Sequence, residues 1–251
     1  MDKIESYEKV LINISPRKWP SFLMKNAFVS GNEINIELAE EFARVGTVMD
    51  FKRFIRIDYT DAPEGSEKSF LTYCGILGLG KYLSKYYDKG LLIQLRERAN
   101  DPRLPIRQAV VKALQYIGRQ KSHRLVDYIA DWKNGTPLEQ RACIAAVCSP
   151  ELLKDRKSIL EALELLEWVT VTFVGDVDWN KDYEVLQEEV AQCWAIVVVA
   201  NPEKGKQVME RWMKEDHLLV DVMMKKSLLN NSMQVLEGEW VNKWLQNLTT
   251  Q

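Results

Sequence analysis

The stretch DPRLPIRQAVVKALQYIG, residues 101–118, decides the fold class. Its apolar residues recur with the spacing of one face of an α-helix: Ile106, Val110, Ala113, Leu114 and Ile117. The opposite face is polar and carries Gln108, Lys112, Gln115 and Arg119. Gly118 is a suitable residue to end such a helix. The stretch therefore predicts an amphipathic helix that buries one face.

The same periodicity extends over most of the chain and predicts an all-α fold. Helices are predicted near 2–14, 35–45, 51–57, 68–87, 106–117, 125–132, 137–148, 157–174, 183–200, 205–215 and 217–233. The segments WVTVTFV at 168–174 and AIVVV at 195–199 have a composition typical of strands. Each continues a longer helical pattern, so we interpret both as helix. Trp168 and Trp194 lie in dense apolar stripes, and we expect both in the core.

The helical segments also repeat. An offset of 34 residues places Arg107 on Arg141, and the apolar positions that follow the two arginines coincide. Weaker copies place Lys68 and Asp221 at the arginine position. The pattern indicates a helical hairpin of about 34–40 residues as the repeating unit. One such hairpin cannot bury its own apolar face, so we expect consecutive hairpins to stack.

The segment around Asp101, Pro102, Ile106 and Arg107 resembles the HEAT-repeat signature, in which an Asp-Pro turn precedes an aliphatic–Arg pair and small core positions. This resemblance implies a right-handed α-solenoid of stacked helix pairs. It also implies that Asp101 caps the turn and that Arg107 braces the neighbouring repeat. In the second copy Gly135 stands where the aspartate would be.

The N-terminal portion, with WPSFL at 19–23 and NIELA at 35–39, is similar to a group of uncharacterised bacterial HEAT-repeat proteins. A weaker, purely architectural resemblance links the chain to the AlkD-type DNA alkylation repair proteins, and no catalytic residue is carried over from them. From these resemblances we expect one continuous domain. It would comprise an N-terminal helical cap at 1–60, a HEAT-like solenoid at 61–236, and a C-terminal tail or last helix at 237–251.

Charge is unevenly distributed along the 251 residues. The total is 34 basic against 36 acidic side chains, a net charge of −2, which argues against a dedicated nucleic-acid binder. Residues 81–133, however, hold 12 basic and 5 acidic side chains, whereas residues 134–251 hold 12 and 19. On the concave side of a solenoid, the basic segment would attract a phosphate backbone or an acidic peptide. The alternative is an ordinary solvated surface.

The candidate binding residues are basic and aromatic side chains that would share a concave groove. They are Lys81, Lys85, Arg96, Arg103, Lys112, Arg119, Arg124, Trp132, Arg141 and Trp212. The leading hypothesis is a non-catalytic scaffold whose groove accepts a protein or peptide partner. The alternative is a DNA-binding or DNA alkylation-repair protein that uses a basic concave face near Asp131 and Trp132.

The sequence also bears on location. The N-terminus has no continuous apolar segment, and the longest apolar run, 193–200, has eight residues where a membrane span needs about 20. The four cysteines form no CxxC pair and sit among apolar residues: Cys74, Cys143, Cys148 and Cys193. We therefore expect a cytoplasmic protein with reduced, buried thiols and no membrane partner.

No motif points to a catalytic, metal or cofactor site, and we expect none. His123 and His217 have no nucleophile at an interpretable spacing. The acidic segment that begins at Asp176 resembles a calcium-binding loop. It has Lys181 where the loop needs glycine and Gln187 where it needs a bidentate glutamate, so we interpret it as an interhelical loop.

Overall fold

The computed structural model describes residues 6–120, 122–175, 177–215 and 217–250. Within these ranges the chain consists of α-helices, two single-turn 3-10 helices and one isolated antiparallel bridge. The predicted all-α class is confirmed. The chain forms two compact units that divide after Gln120, a boundary that the sequence does not predict.

The first unit is built around a buried central helix. Its helices are α1 (Tyr7–Asn13), α2 (Trp19–Lys25), α3 (Ile36–Val45), α4 (Val48–Ile55), α5 (Ser69–Leu83), α6 (Lys89–Ala99) and α7 (Leu104–Gln120). Helix α5 packs against α3, α4 and α7. Every residue from Phe70 to Gly80 is buried, so α5 is covered on all sides over three turns. Such all-round burial is typical of a helix at the centre of a bundle.

Glycines allow the neighbours of α5 to approach its backbone. A Cβ atom at Gly80 would lie 2.5 Å from the Ala113 Cα, and one at Gly75 would lie 2.9 Å from the Ile55 backbone nitrogen. No side chain fits in either place. The glycines cost helix propensity, and close packing of α4 and α7 on α5 offsets that cost.

A buried ion pair holds the turn between α6 and α7. The Arg103 side chain is 1% exposed and binds both carboxylate oxygens of Asp101, with Nε–Oδ1 and Nη2–Oδ2 distances of 2.7 Å. The same guanidinium donates to the carbonyl of Ala62 at 2.8 Å and to that of Ile57 at 3.2 Å. Burial acts to raise the pKa of Asp101, but the Arg103 hydrogen bonds and charge keep it below its ordinary value. The pair thereby anchors the turn to the segment between α4 and α5.

The structure changes the roles that the sequence predicts for Arg107 and Arg103. The Asp101 carboxylate is bound by Arg103 and, at 3.2 Å, by Arg98 Nη1. Arg107 instead donates from Nη1 to the carbonyls of Asp101 and Pro102 at 2.8 and 3.0 Å. The prediction that Arg103 contacts a partner is wrong, because its guanidinium is buried and already bound within the fold.

The second unit is also built around one long helix. Its helices are α8 (Ser122–Tyr128), α9 (Pro137–Val147), α10 (Arg156–Val171), α11 (Lys181–Ala200), α12 (Pro202–Trp212), α13 (Leu218–Leu228) and α14 (Asn231–Thr250). Helix α11 packs against α9, α10, α12, α13 and α14. The segment 195–199 lies inside α11, as predicted. Of the segment 168–174, residues 168–171 end α10 as predicted, whereas 172–174 form a turn.

The two tryptophans that were expected in the core, Trp194 and Trp168, differ in burial. Trp194 is fully buried, and its Nε1 donates to Thr170 Oγ1 at 3.1 Å, so the prediction is confirmed. Trp168 is 51% exposed, and the prediction is wrong. The Lys133 ammonium lies 4.2 Å from the centre of the Trp168 ring, a cation–π contact that suits a surface position.

Two further features bear on the predicted location of the protein: the state of the cysteines and the length of the helices. All four cysteines are free and buried, as predicted. No helix in the described ranges has both the length and the apolar character that a membrane span requires.

We expect Arg103→Ala to lower the free energy of unfolding by about 3–5 kcal/mol, because it leaves the buried Asp101 carboxylate without its main partner. Urea denaturation followed by circular dichroism measures the change. The matched control is Arg53→Ala, since Arg53 is exposed and lies 3.7 Å from Asp50. That loss should stay below about 1 kcal/mol. Equal losses for the two variants would contradict the bracing role of Arg103.

Candidate functional site

A cleft of about 590 Å³ opens in the first unit. It is lined by residues from α3, the α3–α4 connection, α4, the C-terminal half of α5 with the residues that follow it, and the end of α7. Pockets for small ligands typically measure about 300–1,000 Å³. The cleft therefore has room for a small molecule or for a few side chains of a peptide, and not for a folded domain.

The floor of the cleft is the ring of Phe51. A Cβ atom at Gly78 would lie 2.2 Å from this ring, and one at Gly46 would lie 2.6 Å from it. The ring is therefore fixed between two backbones that carry no side chain. Its edge-to-face contact with Phe42, at a centroid distance of 5.8 Å, continues the floor into the core. The result is a rigid apolar base.

The walls of the cleft are cationic. Four basic side chains line it, one from α3, one from α5, one that follows α5, and one from α7: Arg44, Lys81, Lys85 and Arg119. Glu40 is the one carboxylate among the described lining residues. These five side chains carry a formal charge of +3. A pocket with this charge attracts anions.

Tyr116 lies at the centre of the charged wall. The Lys81 ammonium lies 5.5 Å and the Arg119 guanidinium 5.1 Å from the centre of its ring. The Tyr116 hydroxyl donates to Glu40 Oε1 at 3.0 Å. Burial first, and the negative charge of Glu40 second, raise the pKa of Tyr116 well above its ordinary value. Tyr116 therefore stays neutral and holds the Glu40 carboxylate in place.

The cleft also has an aromatic side. The rings of Tyr82 and Tyr86 lie 5.1 Å apart, tilted by 40°, and both line the cleft. Tyr86 is exposed. Exposed tyrosines beside basic side chains are typical of binding surfaces.

Lys81 is a half-buried cation in the wall of the cleft. Burial and then the positive charge of Arg44 lower its pKa, and the charges of Glu40 and Glu41 only partly oppose this. Among the described residues its ammonium forms neither a salt bridge nor a hydrogen bond. An anion that entered the cleft would supply the missing partner and relieve the repulsion between Lys81 and Arg44.

The cleft brings together three of the predicted binding residues, Lys81, Lys85 and Arg119. Lys112 on α7 and Arg96 on α6 lie in the same unit, are half-buried, and do not line the cleft.

Apart from Arg103, the remaining predicted residues lie in the second unit. Trp132 is 3% exposed and packs near α9 and α10, so the prediction that it faces a groove is wrong. The Arg141 guanidinium forms an ion pair with Glu189 at 2.7 Å, with both side chains largely buried. Arg124 and Trp212 are half-buried.

Sequence reasoning missed several lining residues. The run KYLSKYY at 81–87 interleaves tyrosines with lysines at the spacing of one helical turn, and this signal would have added Tyr82 and Tyr86. Glu40 and Arg44 carry no comparable signal, because only the packing of α3 on α5 brings them to the cleft.

The described residues offer no metal centre: no group of three or more histidine, cysteine, aspartate or glutamate side chains could hold an ion. Asp176 and the side chain of His123 lie outside the described residues. Comparisons with protein-family models, with curated proteins and with solved structures return no match. The functional inference therefore depends on the chemistry of the cleft.

We expect the pKa of Lys81 to lie below its ordinary value. Arg44→Gln removes a positive neighbour and frees Glu41 from its 2.9 Å ion pair with Arg44, and both changes raise the pKa of Lys81. Glu40→Gln removes a negative neighbour and lowers this pKa further. NMR of reductively ¹³C-methylated lysines measures the shifts. Arg53→Gln is the control, because Arg53 does not line the cleft. An unchanged Lys81 titration in Arg44→Gln would contradict this electrostatic description.

We expect Gly78→Ala to destabilise the protein by about 1–3 kcal/mol, because the new methyl group overlaps the Phe51 ring. Gly238→Ala is the control: it adds a methyl group to α14, where no atom lies within 4 Å. That variant should be neutral or stabilising by up to about 1 kcal/mol. Urea denaturation compares the two. Wild-type stability in Gly78→Ala would show that the floor is not closely packed.

Proposed function

We propose that this chain is a non-catalytic binding protein whose cationic cleft accepts an acidic segment of a protein or peptide partner. The observation that carries the proposal is the convergence of Lys81, Arg119 and Arg44 in a cleft whose described lining includes one carboxylate, that of Glu40. Charge-assisted hydrogen bonds from ammonium and guanidinium groups to carboxylates are among the stronger polar contacts in proteins.

The two surfaces of the cleft suit an extended peptide. An acidic side chain would meet Lys81 and Arg119, while a neighbouring apolar side chain would lie on Phe51. Tyr82 and Tyr86 offer contact area at low entropic cost, because a tyrosine has only two side-chain torsions to fix. This combination of an apolar base and a charged rim supports a peptide ligand over a simple inorganic anion.

The titratable groups of the cleft support binding rather than catalysis. Tyr116 and Glu40 form a hydroxyl–carboxylate pair, but the raised pKa of Tyr116 keeps the proton on its oxygen. The described lining residues include neither a cysteine nor a histidine. A nucleophile with an adjacent base, the usual requirement for covalent catalysis, is thus not found among them.

The architectural proposal accompanies the functional one. We place the helix pairs among the HEAT-like hairpins of an α-solenoid with an N-terminal helical cap, and the Asp101–Pro102 turn between α6 and α7 supports this. We also place the protein in the cytoplasm, which agrees with four free thiols.

Fluorescence anisotropy with a labelled twelve-residue peptide of alternating glutamate and leucine tests the function. We expect saturable binding that weakens with added salt, and about 5- to 10-fold weaker binding in Lys81→Gln and in Arg119→Gln, because each variant removes one charge-assisted contact. Lys89→Gln is the matched control, since Lys89 is an exposed lysine at the start of α6 that does not line the cleft. It should bind within 2-fold of wild type. Equal losses of affinity in Lys81→Gln and Lys89→Gln would show that the peptide responds to the net charge of the protein and not to the cleft, and would overturn the proposal.

The alternative function, DNA binding or alkylation repair, has one specific supporting feature. The Tyr82–Tyr86 pair beside Lys81 and Lys85 is a combination that can stack on unpaired bases. A labelled duplex with one alkylated base, and the matching single strand, form two further arms of the titration at 50 mM salt. Tighter binding to either oligonucleotide than to the acidic peptide would favour the alternative.

A further inference from the structure

The surroundings of Lys81 favour an uncharged side chain. Lys81 is half-buried in the wall of the cleft, and its nitrogen lies 5.5 Å from the centre of the Tyr116 ring. Burial first, and the positive charge of Arg44 second, lower the pKa of Lys81. Both causes act against the ammonium, and neither acts against a neutral amine or amide. Relative to water, the fold therefore favours the neutral form of this side chain.

The Lys81 nitrogen is also available for reaction. Among the described residues it forms neither a salt bridge nor a hydrogen bond, whereas the Lys206 ammonium is held by Glu237 at 2.7 Å. The cleft of about 590 Å³ opens on the nitrogen and admits a small reagent. A lysine that is partly desolvated and lies next to another cation is the kind that acts as a nucleophile, because more of it is present as the neutral amine.

We propose that Lys81 is a site of covalent N-acylation, where a small acyl phosphate transfers its acyl group to Nζ. The neutral amine attacks the carbonyl carbon and a C–N bond forms, while the bond between that carbon and the phosphate oxygen breaks. Phosphate leaves with the electron pair of the broken bond, and the proton that the nitrogen loses passes to solvent. The product is a neutral amide.

The amide product suits this place better than the ammonium does. An amide has no charge to hydrate, so the cost of burying the ammonium disappears, and so does the repulsion from Arg44. The Tyr116 ring and the half-buried Tyr82, which line the same cleft, offer apolar surface to the carbon atoms of the acyl group.

The charged and titratable groups around Lys81 come from several elements. Helix α3 contributes two carboxylates and an arginine, a lysine follows α5, and α7 contributes a tyrosine and an arginine: Glu40, Glu41, Arg44, Lys85, Tyr116 and Arg119. The described lining residues of α4 carry no charge. The two carboxylates raise the pKa of Lys81, and Arg44 and Lys85 lower it. Removing a group of either sign should therefore move the reactivity in opposite directions.

Acylation would withdraw the cleft from its acidic ligand. This consequence rests on the proposed function, in which Lys81 offers a charge-assisted contact to a carboxylate. An amide at Nζ has no positive charge and cannot offer that contact. The modification would thus regulate binding at the same site.

Acetyl phosphate is the probe for the modification site, and peptide mass spectrometry of the folded chain measures the rate at each lysine. Lys89, an exposed lysine at the start of α6, is the internal control. At pH 7.5 we expect acetylation about 3-fold faster at Lys81 than at Lys89, since a lowered pKa leaves more neutral amine. The two rates should converge in urea. A rate at Lys81 equal to or below that at Lys89 in the folded chain overturns the proposal.

Charge variants separate this explanation from simple accessibility. Arg44→Gln raises the pKa of Lys81 and should slow its acetylation by about 2-fold or more, whereas Glu40→Gln lowers this pKa and should accelerate it. Arg53→Gln, which lies outside the cleft lining, should leave the rate unchanged. Changes in the same direction in Arg44→Gln and Glu40→Gln would overturn the assignment of Lys81 as an electrostatically activated nucleophile.

Lys81→Arg tests the effect on binding, because a guanidinium keeps the charge and resists acylation. After acetylation of Lys81 is complete, the wild-type chain should bind the glutamate–leucine peptide about 5- to 10-fold more weakly than before, as expected for the loss of one charge-assisted contact. Lys81→Arg, treated in the same way, should keep the affinity that it has untreated. Equal losses in the two chains would overturn the regulatory role. Failure of the untreated wild type to bind the peptide would overturn the proposed function, while the acetylation rates would still decide the modification site.

Discussion

The first unit depends on the close approach of helices to the backbone of α5. Gly75, Gly78 and Gly80 have no side chains, so the α4 backbone, the Phe51 ring and the α7 backbone each lie where a Cβ atom would stand. Protein interiors are packed at crystal-like density, and a gap or an overlap at such a contact costs stability. These contacts fix the axes of α4 and α7 relative to α5, and they thereby fix every side chain that the three helices carry at their ends.

The cationic cleft is a consequence of that packing. The burial of α5 stops after Gly80, and the next residue, Lys81, is already at the cleft. Helix α3 brings Arg44 to the same place, and α7 brings Arg119. Like charges repel one another, so an unfolded chain would not bring Lys81, Arg44 and Arg119 together. The apolar contacts of the three helices hold Lys81 beside Arg44, and the charge of Arg44 contributes to lowering the pKa of Lys81. Locally unfavourable arrangements of this kind are expected at functional sites.

The sequence predicted what depends on local spacing and failed where the answer depends on packing. Helical periodicity identified the class and even the strand-like run 195–199, because burial of Ala195, Val197 and Val198 within α11 outweighs β propensity. Periodicity cannot tell which arginine meets Asp101: the resemblance indicated Arg107, and the buried position belongs to Arg103. Apolar stripes likewise placed Trp168 inside, whereas its ring is exposed and covered in part by Lys133. Among the site residues, the basic segment 81–133 pointed to Lys81 and Arg119. Arg44 lies outside that segment and was therefore missed.

The net charge of −2 says little about how such a site behaves. At physiological ionic strength, interactions between exposed charges are largely screened beyond about 8 Å, so the lining residues dominate the field that a ligand meets inside the cleft. Partial burial strengthens that field at Lys81, because its ammonium has lost part of its hydration. Attraction of an anion then follows from charge alone, but charge alone does not discriminate among anions. Discrimination depends on donors that converge from separate helices and on an apolar floor, the Phe51 ring, that is closely packed against Gly46 and Gly78. Both features exist in this chain only because α5 lets its neighbours pack against a bare backbone.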